Sequence, residues 1–113
     1  MSENLNELIP FQLISNGGDA SSLFYQALNE AQKGNFVAAD EFVKKGDEAL
    51  LMAHKLQTDL IFSEANGNKI ELSILMVHAQ DHLMNAMLLK DLVNYMIRIF
   101  KELKERNSNN ENI

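Results

Sequence analysis

The stretch Val77-His78-Ala79-Gln80-Asp81-His82-Leu83-Met84-Asn85-Ala86-Met87-Leu88-Leu89 decides the fold. Its apolar residues recur at steps of three and four, the helical period. With Leu72, Ile74, Leu75 and Met76 before them, they cover every direction around the helix axis. A helix in a three-helix monomer keeps one face in water, so a segment apolar all round predicts a further partner. A second copy of the chain is the simplest supplier. If the helix meets its own copies, Ile74, His78, Asp81, Asn85, Leu88, Leu92 and Ile99 form the seam, and polar groups in such a seam specify register and oligomer number. His78, Asp81 and His82 stand at i, i+3 and i+4, within about 100° of arc on one face.

Working outward, the periodicity stays helical and no strand-like alternation interrupts it. The pattern predicts three long helices. The first runs from near Asn4 to Gln32 with Leu13, Ile14, Leu23, Phe24, Ala27, Leu28 and Ala31 inward; Asn16-Gly17-Gly18-Asp19 falls inside it as a kink or a break. Lys33-Gly34-Asn35 stops it, because glycine suits the left-handed position after a helix. The second covers Phe36 to Ala65, with Val37, Ala38, Phe42, Ala49, Leu50, Ala53, Leu56, Leu60 and Ile61 inward. Gly46 inside it costs about 1 kcal/mol relative to Ala, which predicts close helix packing there. Asn66-Gly67-Asn68 is the next stop, and the third helix is expected from Ile70 to Glu105.

Two short turns joining three helices give an all-α, antiparallel up-down-up bundle. At about 30 residues each helix is about 45 Å long, so a rod is expected. The 113 residues form a single domain, with 4–105 ordered and the Asn-rich 106–113 a frayed tail.

A net charge of −6 and the absence of a basic stripe exclude nucleic acid as the partner. The absence of cysteine excludes disulfides, thiolate metal sites and thiol catalysis. The acidic start Met1-Ser2-Glu3-Asn4 is unlike a signal peptide, and no apolar run approaches a membrane span. A soluble, reducing, cytoplasmic setting without membrane insertion is expected.

Three chemistries suit the polar cluster. A buried network in which Asp81 pairs with His78 or His82 is the first. A metal site is the second, because histidines at i, i+4 reach one cation. The Glu-x-x-His pairs of di-iron bundles are missing, however: Leu51 precedes His54 by three and Leu75 precedes His78. Phosphoryl transfer through histidine is the third, since neutral imidazole is a good nucleophile near neutral pH. Gln80, His82 and Asn85 would then supply donors to the phosphoryl oxygens. Gly17-Gly18 lacks the Lys-Ser/Thr of a nucleotide loop, so a carrier receiving phosphate from another protein fits better than a kinase. His54, Tyr25 and Tyr95 read as bundle packing.

Residues 77–84, followed by Ala86-Met87-Leu88-Leu89, resemble the IIA component of the lactose/cellobiose (and diacetylchitobiose) class of the bacterial sugar phosphotransferase system. Ile14 to Asp19, Ala27-Leu28 and Ala53-His54-Lys55-Leu56-Gln57-Thr58 extend the resemblance over nearly all of 10–105. It implies a homotrimer of three-helix bundles. It implies that His78 accepts a phosphoryl group from the phosphocarrier HPr, on the ring nitrogen farther from the backbone. The group then passes to a IIB component, and through the IIC permease to an entering disaccharide such as lactose, cellobiose or chitobiose. His82 and Gln80 match residues near that histidine. Asp81 matches an aspartate on the threefold axis that shares a divalent cation, typically magnesium, among three subunits; no nucleotide is implied. The alternative from another class is a non-catalytic helical oligomer, a scaffold or metal-binding bundle that uses the polar seam only for register.

Overall fold

The computed structural model describes residues 2–111, with side chains from Leu8 to Asn110. Three helices account for nearly all of them: α1 (Ser2–Gln32), α2 (Phe36–Ala65) and α3 (Ile74–Glu111). They pack up-down-up, with α1 packed closely along both others and α2 and α3 meeting less closely. The principal extents are 68 × 22 × 20 Å and the radius of gyration is 18.3 Å. A compact chain of this length would have about 13 Å. The molecule is the expected rod.

Both turns are built by the glycines that the sequence singles out. Gly34 and Gly67 have φ of 87° and 93°, the left-handed region. Around Gly34 the amide of Asn35 donates to Glu30 and that of Gly34 to Ala31; around Gly67 the amide of Asn68 donates to Ser63 and that of Gly67 to Glu64. These paired bonds satisfy the last carbonyls of α1 and α2 and end both helices.

α1 is continuous through Asn16-Gly17-Gly18-Asp19, with neither a break nor a new start. Gly17 is buried, and its Cα side faces the backbone of α3: an added Cβ would stand 3.6 Å from the carbonyl of His82. Packing along α3 outweighs the local helix cost of about 1 kcal/mol per glycine.

α3 begins four residues later than expected. Ser73 is its cap, with Oγ accepting the amide of Met76 at 3.0 Å and its carbonyl accepting Val77. A side-chain acceptor at the third amide satisfies a donor that an apolar Ile70 or Leu72 could not serve, so the helix starts after the serine. At its other end α3 runs past the expected Glu105 to Glu111, with every residue of 102–110 exposed. Asn112 and Ile113, the last of the expected frayed tail, lie outside the described residues.

The core is a ladder of small and large side chains: Leu13, Ala20, Phe24, Ala27 and Ala31 from α1, Ala39, Leu50 and Ala53 from α2, and Met76, Ala79, Leu83, Ala86, Val93 and Ile97 from α3. Gly46 lies against Phe24, the largest fully buried side chain; a Cβ there would come within 2.6 Å of the ring. The close packing expected at Gly46 is real. Val37 and Ile61, expected inward, are exposed. They lie at the two ends of α2, where a rod has few neighbours to cover them. Lys90 Nζ lies 3.1 Å from Asp47 Oδ1 and Lys101 Nζ 3.4 Å from Asp40 Oδ2, tying α3 to α2 in antiparallel register.

Candidate functional site

The exposed face of α3 carries the site. Its buried positions, Met76, Ala79, Leu83, Ala86, Val93 and Ile97, form one stripe at helical spacing. Ile74, Val77, Met84, Leu88, Leu92, Tyr95, Ile99 and Leu103 form a second, opposite stripe, all of them exposed. Ile74 is 90% exposed and Leu88 59%, so the described residues leave this stripe largely open. The all-round apolar character of the segment therefore divides into a face used within the bundle and a face left open.

His78 and Asp81 are exposed within that open stripe, and His82 is half-buried at its edge. Among the described residues no polar or charged side chain is buried. A buried polar network inside the protomer is thus ruled out as the reason for the cluster. The two imidazoles meet each other: Nε2 of His82 is 3.1 Å from Nε2 of His78, with ring centroids 4.5 Å apart and planes at 84°. One nitrogen must donate and the other accept, so at least one ring carries its proton on Nε2 in this contact. Asp81 makes no ion pair with either histidine; its carboxylate stands alone on the stripe among the described residues.

Gln80 is placed elsewhere. Two residues along a helix is a rotation of about 200°, so a side chain at that spacing leaves the face of His78. Gln80 is half-buried toward α2, where its Oε1 accepts a hydrogen bond of 2.8 Å from Gln57 Nε2. Its own Nε2 approaches Met76 Sδ at 3.8 Å, and Gln57 Nε2 approaches Met84 Sδ at 3.7 Å. Within one protomer the structure brings His82 to His78 and does not bring Gln80. Gln57 is the residue that sequence reasoning left without a role. Its signal is a pairing across two helices, which spacing along one helix does not carry.

His54, expected as a partly buried packing residue, is exposed on α2. It lines a shallow cavity of about 260 Å³ with Asp47, Leu50, Leu51, Met87, Lys90 and Asp91. Tyr25 and Tyr95, also expected to pack, are likewise exposed. Each falls on a helix face away from the bundle interior. Among the described residues no group of three or more His, Asp or Glu converges on a point that could hold a metal ion. A cation at Asp81 would need carboxylates from more than one copy.

The profile described as "PTS system, Lactose/Cellobiose specific IIA subunit" matches residues 8–101. The chain belongs to this family. It is 45% identical over 94 residues to the lactose-specific EIIA component of Streptococcus mutans, covering 83% of this chain and 90% of that protein. It is 41% identical over 106 residues to the lichenan-specific phosphotransferase enzyme IIA component of Bacillus subtilis, covering 94% and 96%. The crystal structure of the cellobiose-specific enzyme IIA from Bacillus anthracis superposes with a TM-score of 0.86 at 49% identity, covering 88% of this chain and 92% of that one. Solution structures of the chitobiose IIA–HPr complex from Escherichia coli contain a chain that superposes with a TM-score of 0.76 at 40% identity, covering 88% and 96%. The protein is a IIA component of the phosphotransferase system, a phosphocarrier that hands its group to a IIB component in disaccharide uptake. No helix among the described residues is long and apolar enough to cross a membrane.

Proposed function

We propose that His78 is the residue that carries the phosphoryl group, received from phosphorylated HPr, and that three copies assemble through the open stripe of α3. The observation that carries this reading is the contact between two imidazoles on an exposed face. An exposed His78 is accessible to a protein donor, and Nε2, the nitrogen farther from the backbone, is the one that His82 faces. In transfer, the Nε2 lone pair of neutral His78 forms the new P–N bond while the bond from phosphorus to the donor breaks, and the donor leaves with that electron pair. His78 keeps its proton on Nδ1. His82, donating from Nε2, is placed to bond a phosphoryl oxygen once the group is on its neighbour. Positioning and such donors, rather than covalent assistance, lower the barrier in a loose phosphoryl transition state.

Trimer assembly is supported by the open apolar stripe and fits the remaining residues of the cluster. Closed cyclic symmetry sets the three α3 helices parallel. With Ile74, Asp81 and Leu88 toward the axis, His78 lies about 60° to one side and Gln80 about 100° to the other. In parallel helices opposite flanks of neighbours face each other. Gln80 therefore assists a His78 of the adjacent copy, which reconciles its proposed role with its distance from its own histidine. Asp81 would come to the axis three times, and three carboxylates repel unless protonated or bridged. A divalent cation such as magnesium, held by the three Asp81 carboxylates, would neutralise that charge and serve assembly rather than transfer.

Incubation with phosphorylated HPr followed by intact-mass measurement tests the reading. The wild-type chain should gain one phosphoryl group. His78→Ala should gain none while keeping its helical content. Labelling of that variant would overturn the assignment and favour a seam used only for assembly.

A further inference from the structure

The Gln57–Gln80 hydrogen bond fixes more than the packing of α2 on α3. A glutamine amide has one acceptor end and one donor end, and which end faces outward decides whether it can hold an anion. Gln80 Oε1 is taken by Gln57 Nε2 at 2.8 Å. The two methionine sulfurs agree with that orientation, because a thioether accepts and cannot donate, and each has an amide nitrogen as its neighbour: Met76 Sδ beside Gln80 Nε2 and Met84 Sδ beside Gln57 Nε2. With its oxygen engaged, Gln80 is left to present its NH2 group. Its hydrogen-bond partner at that end among the described residues is a weak acceptor at 3.8 Å, so the donor is not consumed.

We infer that Gln57 is a positioning residue for phosphoryl transfer: by engaging Gln80 Oε1 it holds the Gln80 amide with its NH2 free to donate to a phosphoryl oxygen. The inference rests on the reading that Gln80 serves a His78 of the neighbouring copy. Gln57 itself touches no reacting atom. It sits on α2, a different helix from every residue of the cluster, and Gln57, Met76 and Gln80 line one small open cavity with Leu60, Ile61 and Ile70. A loosely held amide would present oxygen as readily as nitrogen, and a carbonyl oxygen facing a phosphoryl group repels it. Locking the amide removes that population before the donor arrives.

Three variants and one double variant test this, with transfer from phosphorylated HPr followed under single-turnover and steady-state conditions. Gln57→Glu replaces the donor by an acceptor, which draws the Gln80 NH2 inward; kcat should fall about tenfold with KM for phosphorylated HPr unchanged. Gln57→Leu leaves the amide free to turn and should give a smaller loss. Gln57→Lys restores a donor to Oε1 and should recover most of the rate lost in Gln57→Leu. In a Gln80→Leu background, Gln57→Glu should cost nothing further. The proposal is overturned if Gln57→Glu transfers at the wild-type rate, or if its loss persists undiminished in the Gln80→Leu background. Helical content and oligomeric mass, measured alongside, must match wild type for each variant, and Gln57→Leu replaces Gln57→Glu in the cycle if the carboxylate disturbs either. If His78→Ala is still labelled, the phosphocarrier assignment fails; if His78 is required and the Gln57 variants are silent, only the positioning role fails.

Discussion

Nε2 of His82 stands 3.1 Å from Nε2 of His78 across one turn of α3, a hydrogen-bonding contact at the proposed nucleophile. The i, i+4 spacing makes this contact possible, and the open face of α3 leaves it in reach of a partner protein. In the proposed transfer His82 is the donor of this pair, so its loss should slow transfer without preventing it. His82→Ala should still become phosphorylated on His78, with kcat reduced about 10- to 100-fold. Quench-flow labelling by phosphorylated HPr measures it. A rate equal to wild type would remove His82 from the mechanism.

Asp81 offers a sharper separation between assembly and chemistry. Three exposed carboxylates brought to one axis repel, and a bridging cation relieves that repulsion. Stripping divalent ions with a chelator should lower the melting temperature of the wild-type oligomer. Asp81→Leu should melt higher than wild type in chelator and show no change when the chelator is added. A wild-type melting curve indifferent to chelator would argue against the axial cation.

Leu88 is 59% exposed in the centre of the open stripe. A charge there costs the folded protomer little, because water already reaches the position, and it costs an assembled oligomer much more. If the proposed trimer forms through this stripe, Leu88→Glu should sediment as a monomer at concentrations where wild type sediments as a trimer, with circular dichroism unchanged. Persistence of the trimer would place the interface elsewhere.

Gly46 faces the Phe24 ring so closely that a methyl group would come within 2.6 Å of it. Phe24 is fully buried. Overpacking of this kind costs about 1–3 kcal/mol, and the better helix propensity of alanine returns up to about 1 kcal/mol. Gly46→Ala should therefore destabilise by up to about 2 kcal/mol net, read from urea unfolding at fixed protein concentration. Greater stability than wild type would mean that the bundle repacks around the ring.

Several features of this protein were legible in residue order because they are local. The period of three and four named the helices, and glycine at 34 and 67 ended the first two where the backbone turns left-handed. The bounds of α2 follow from those two stops alone. Ser73 was equally local, a cap in front of an apolar run, and reading it would have started α3 at Ile74 rather than Ile70. The spacing of His78, Asp81 and His82 by itself puts them on one face, since helix geometry is fixed.

What residue order did not carry is which of two apolar faces of α3 turns into the bundle. Hydrophobicity around the axis is nearly uniform from Leu72 to Leu89, so either face could have been chosen by composition. Packing in the bundle chose it: Ala79, Leu83 and Ala86 are buried, Gly17 of α1 lies close to the α3 backbone at His82 and Leu83, and that rotation leaves His78 and Asp81 outside. The same rotation turned Gln80 away from its own histidine and onto Gln57, a contact between residues 23 positions apart. Sequence determined the helices and the set of chemical groups, through local backbone geometry and periodicity. Tertiary structure decided which of those groups meet, because a helix rotates as one body to bury the face that packs best against its neighbours.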